Sequence, residues 1–120
     1  MLWSLPQDLA VVAEALRGKI PKESLLVTIL AGITLADIAE TFEFGGAVVR
    51  AMPNIAGMVG QAATAMCGAE KMDQAHVQLA EKLFRSIGEA DWTKEANLDA
   101  VTGLSGSGPA YIYMVILALS

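Results

Sequence analysis

The chain has 120 residues, of which 54% are hydrophobic, and a formal net charge of −5. This composition excludes a disordered chain and fits one domain burying roughly two-thirds of its unfolded surface. With 13 acidic against 8 basic residues and no basic cluster, it offers no positive face for nucleic acid or an anionic membrane surface.

Cys67 is the single cysteine and His76 the single histidine. One of each makes neither an internal disulfide nor a thiolate-imidazole zinc cage, so no metal site is expected. Cys67 reads as a small buried hydrophobe and His76 as a boundary or surface residue. The start "MLWSLPQDL" lacks the charged and apolar regions of a signal peptide. At the other end, the apolar run from Ala110 to Leu119 is about ten residues, half of what a membrane span needs. A cytoplasmic protein is expected.

In chain order, Pro6-Gln7-Asp8 reads as a helix start, with Leu9, Val12, Ala13 and Leu16 at helical spacing and Gly18 as the stop. "LLVTIL" (25–30) has the unbroken apolar, β-branched character of a strand covered on both faces. Thr34 is placed to cap a helix through "LADIAETF", and "EFGG" turns the chain. "AVVRAM" (47–52) reads as a second buried strand, ended by Pro53-Asn54. "ATAMC" (63–67) reads as a third strand. From Asp73 onward Val77, Ala80, Leu83, Phe84 and Ile87 share one helix face, and Gly88 reads as its stop. "EADWTK" (89–94) is a final short strand.

This alternation predicts an α/β domain with a largely parallel sheet. From Asn97 only helical signals follow, interrupted at Ser105-Gly106-Ser107-Gly108. A domain boundary is therefore expected near residues 93–97. Neither the Gly-x-Gly-x-x-Gly turn nor a P-loop is present, so the sheet looks like a later portion of a doubly wound one.

Ser105 and Ser107 sit outside the Gly-x-Ser-x-Gly pattern of a nucleophile elbow, and a hydrolase would have only His76 as base. The corner is better read as backbone. Pro109 fits a first helical turn, Ser107 or Gly108 sits at a cap, and free N–H groups would face outward. A tight helix–helix corner and a ligand site both remain open. Thr102 is a hydroxyl of interest whose alternative is a bond to a carbonyl one turn back. Asn54 would ordinarily be a turn residue and Arg50 a strand-end charge. Met52, Met58 and Met66 read as core filler.

Together "VVRAMPN", "ATAMC" and "LDAVTGLSGSGPAYIY", with "AGIT" at 31–34, resemble the pyrroline-5-carboxylate reductase family. The likeness spans nearly the whole chain but only the middle of the family's sequence. It implies the C-terminal part of a Rossmann-type domain over residues 1–94 and the start of an all-helical dimerisation domain over 95–120. The implied reaction is hydride transfer from NADPH, or NADH, to 1-pyrroline-5-carboxylate, giving L-proline. The implied assembly is a homo-oligomer formed through the C-terminal helix.

By position, the resemblance places Ser4, Leu5 and Pro6 at a strand end beside the cofactor, and Ala31 and Gly32 at a turn near the nicotinamide. It places Asn54 in the Met-Pro-Asn loop and Glu95 on the cofactor side. Thr102 becomes the catalytic candidate, a donor to the imine nitrogen. Leu5 stands where the family has lysine, and "NIAG" (54–57) stands for its "NTPA". The family's glycine-rich phosphate turn and its Ser-Pro-Gly-Gly-Thr-Thr carboxylate grip are both missing. A truncated relative with low or no activity is expected; the alternative is an inactive interaction module.

Overall fold

The computed structural model describes residues 9–70 and 72–120. The expected helix start at Pro6 to Asp8 lies outside them. Helix α1 spans Leu9–Leu16 and β1 Leu25–Thr28. Helix α2 spans Leu35–Thr41, and β2 is Ala47–Met52, all six of its residues buried. A 3-10 turn, Ile55–Val59, leads to β3, Ala62–Gly68. Helix α3 is Gln74–Arg85 and β4 Gly88–Trp92.

The four strands lie in the order β1-β2-β3-β4. β1 pairs parallel with β2 and β3 parallel with β4, but β2 and β3 are antiparallel. The sheet is thus mixed rather than largely parallel throughout. The cause is the connection: residues 53–61 hold one 3-10 turn and no crossover helix, which a parallel return requires.

The sheet is covered on both faces, as its apolar runs require. On one side α1 and α2 press Ala13, Ile38 and Phe42 against Val48 and Leu26. On the other α3 packs Ala80 and Phe84 onto Val49, Ala51, Met66 and Ala90. Strand β1 stops two residues short of "LLVTIL" because Thr28 Oγ1 accepts the Leu30 N–H at 3.3 Å. Cys67 is buried as expected, and that burial raises its thiol pKa. Met52 and Met66 are core, but Met58 is 85% exposed, since the turn that carries it lies over the sheet's edge. Gly88 does not stop α3, which ends at Arg85; it opens β4 at φ +150°, where a side chain would collide with the Ala62 backbone.

Thr34 caps α2 as its position implied. Its Oγ1 accepts the Asp37 N–H at 3.1 Å, and an Asp37 carboxylate oxygen accepts the Thr34 N–H at 2.9 Å. The Thr34 hydroxyl, and after it the Thr34 backbone, hold the Asp37 carboxyl below its ordinary value. A depressed folded-state pKa stabilises above the ordinary carboxylate range and is lost as pH falls through the lowered value. Thr34→Ala is expected to cost about 1 kcal/mol in chemical denaturation at neutral pH. That cost should shrink in acid, once Asp37 is protonated.

After β4 the chain becomes helical: a 3-10 turn Glu95–Asn97, α4 Leu98–Val101, a π segment Thr102–Gly106 and α5 Gly108–Leu119. The expected corner at Ser105–Gly108 is therefore a π turn within one helical run. The Ser107 N–H is not free but donates to Thr102 O at 2.9 Å, five residues back. Pro109 explains the widening, because it has no N–H for the carbonyl of Ser105 and its ring crowds that carbonyl.

The run Glu95–Leu119 has 25 residues, enough by length and apolarity to cross a membrane. Leu98 at its start is fully buried against Met52 and Cys67, however.

Candidate active site at the carboxyl edge of the sheet

The carboxyl ends of β1 and β2, being parallel, open on one edge of the sheet. The turn Ala31-Gly32 follows β1 there, with Gly32 at φ +72° and open space where a side chain would project. Pro53 and Asn54 follow β2 at the same edge. The helical run comes back across the α2 face towards it, packing Leu98 and Val101 on Met52, Ala65 and Leu35.

Polar contacts fix that arrangement. Glu95 Oε1 accepts the Leu35 N–H at 2.7 Å, so it sits at the amino-terminal end of α2, just beyond Ala31-Gly32. Asn54 Nδ2 donates to Ser105 Oγ at 3.2 Å, and its Oδ1 accepts the Ala63 N–H at 3.3 Å. Asn54 is therefore a staple between the edge of the sheet and the π turn, more than a turn former. Gly106 lies over Met52; a side chain there would touch the thioether sulfur at 3.8 Å. Thr102 donates to Leu98 O at 2.7 Å, the carbonyl one turn back. Ser107 Oγ also donates to Thr102 O, at 3.1 Å. Both serines thus serve the backbone and the staple, while His76 packs against Glu23 O from α3.

Thus Glu95 sits at the α2 amino terminus that Ala31-Gly32 leads into, while Asn54 is joined to Ala63 and to the π turn that begins at Thr102. Ser4, Leu5 and Pro6 lie outside the described residues. An open apolar cleft of about 390 Å³ between α2 and Gly45, Gly46 and Ala69 holds none of the candidate residues.

Arg50 is not a strand-end charge. It is the fourth residue of β2 and only 2% exposed. Its Nη2 lies 3.0 Å from Asp99 Oδ1 and its Nη1 3.5 Å from Glu95 Oε1, while its Nε is buried without a partner. Sequence reasoning missed Asp99 altogether and misjudged Arg50. The available signal was a lone charge inside an otherwise apolar strand, which needs an opposite charge beside it to be tolerated.

At the start of α2 the Thr34, Leu35 and Asp37 N–H groups donate to Asp37, Glu95 and Thr34 in turn. Of the two carboxylates there, Glu95 is faced by the Arg50 guanidinium, and the position beside Gly32 is open.

A βαβ unit with both faces covered and its loops gathered at the carboxyl strand ends defines a Rossmann-type α/β fold, here running into a helical segment. Residues 95–120 match the family described as pyrroline-5-carboxylate reductase dimerisation. Over 115 residues, 96% of the chain, it is 39% identical to pyrroline-5-carboxylate reductase of Methanosarcina acetivorans. The structure of the Streptococcus pyogenes enzyme aligns over 98% of the chain at TM-score 0.88 and 31% identity. The NADP-bound pyrroline carboxylate reductase of Plasmodium falciparum aligns over 98% at TM-score 0.90 and 26% identity. The chain is thus a relative of the pyrroline-5-carboxylate reductases. It spans 43% of the Methanosarcina protein and 44% and 47% of the two solved chains.

Proposed function

We propose that the chain is part of a cytoplasmic pyrroline-5-carboxylate reductase that reduces 1-pyrroline-5-carboxylate to L-proline. The cofactor, NADPH or else NADH, supplies the hydride when bound. Residues 1–94 form part of the dinucleotide-binding domain and 95–120 begin a helical dimerisation domain. On the cofactor side stand Ser4, Leu5, Pro6, Ala31, Gly32, Asn54 and Glu95. Carboxylates near the nicotinamide favour the positive charge it gains on giving up hydride. Thr102 exchanges its bond to Leu98 O for one to the imine nitrogen, orienting the C=N bond. The observation that carries the reading is the 39% identity over 115 residues to a reductase of this name.

The chain alone is expected to turn over slowly at best, since the phosphate-binding turn and the carboxylate grip are not in it. Mixing the chain with NADPH and 1-pyrroline-5-carboxylate and following the absorbance of the reduced nicotinamide tests this. A fall above the no-protein blank, cut roughly a hundredfold by Thr102→Val, supports the reading. A second reading, an inactive interaction module, rests on the exposure of α5 on every side. A blank-level rate from a folded chain that also fails to bind NADPH supports that one.

A further inference from the structure

We propose that Arg50 is a positioning residue: it sets where the π turn Thr102–Gly106 sits over the carboxyl edge of the sheet. The inference rests on the proposed function only in giving that turn a substrate to face. Arg50 comes from the middle of β2, and both of its carboxylate partners, Glu95 and Asp99, come from the returning helical run. With Nε buried and unpartnered, no group of the sheet shares the guanidinium. Lifting the helical run from the sheet would therefore take from the guanidinium both its carboxylates, the part-buried Glu95 and the exposed Asp99, and a charge left in the sheet without them is poorly tolerated.

Glu95 extends the link, since the same oxygen that faces Arg50 accepts the Leu35 N–H. One guanidinium thus aligns three elements: β2, the start of α2 after Ala31-Gly32, and the run that carries Thr102. At the far end of that run Asn54 holds Ser105. Two points of attachment, Arg50 and Asn54, fix a rigid segment in both place and rotation. The neighbouring apolar contacts of Leu98 supply adhesion, but apolar contacts are non-directional and leave the segment free to slide.

Amide hydrogen exchange in the full chain tests this. In Arg50→Met, the Ser107 and Leu35 amides should exchange about tenfold faster or more, while the β2 and β3 amides change by less than about threefold. Arg50→Lys retains the charge but cannot span both carboxylates, and should fall between. Ser107 as protected in Arg50→Met as in the parent, with the sheet intact, overturns the proposal. Should Arg50→Met fail to fold, Asp99→Asn and Glu95→Gln decide, with the same local acceleration expected. Unchanged Ser107 exchange in both overturns the proposal. A parent chain that never oxidises NADPH, yet shows this exchange pattern, leaves the positioning role standing on its own.

Discussion

Glutamates at Ile112 and Ile116 will turn an associating chain into a monomer. The two residues lie one turn apart on α5 and are 60% and 57% exposed, as Tyr111, Met114, Val115, Leu117 and Leu119 are also exposed. Each such aliphatic side chain gains about 1.5–3 kcal/mol on full burial. Even half of that over six residues gives roughly 5–9 kcal/mol, a range from sub-millimolar to sub-micromolar binding. The match of residues 95–120 to a dimerisation family names the occupant we expect, a second copy of the chain. A helix apolar all round needs covering on more than one stripe, so a two-helix seam is the minimum. Sedimentation near 10 μM should show a dimer or larger for the parent and a monomer for the double variant. A monomeric parent would refute the expectation.

Leu98→Ala will be among the most damaging single substitutions. Leu98 is fully buried, and its cluster joins Met52 of β2 and Cys67 of β3 to the helical run. Truncation there leaves a cavity between the sheet and the helical run, and should cost about 2–5 kcal/mol. Leu104, six residues on, is 80% exposed, and its alanine variant should change stability by less than about 0.5 kcal/mol. Denaturant midpoints separate the two, provided the slopes agree. Equal midpoints would mean that Leu98 anchors nothing.

The contrast between Leu98 and Arg50 explains what could be read from the residues alone. Strands β2 and β3, helix α3 and the Thr34 cap follow local rules of period and spacing, so they were legible. The ion pairs of Arg50 join residues 45 and 49 positions apart (Glu95 and Asp99), and no local pattern encodes them. The antiparallel β2–β3 pair was missed because apolar runs carry no sign of direction, while the short connection does. The open corner at Ser105–Gly108 was expected because glycine and serine ordinarily break helices. In the folded chain Thr102 O takes up the Ser107 amide and the helix continues. Of the candidate site, Asn54 and Glu95 acquired partners that spacing alone could not supply, whereas their family positions were visible in short motifs.

The π turn has a geometric outcome for everything after it. A helix advances about 100° per residue, so one residue of excess in a turn swings all later side chains by roughly that angle. The stripe that Leu98 and Val101 lay against the sheet is consequently not continued by α5. Beyond the turn α5 is exposed on every side, so its aliphatic side chains are left to whatever lies alongside it.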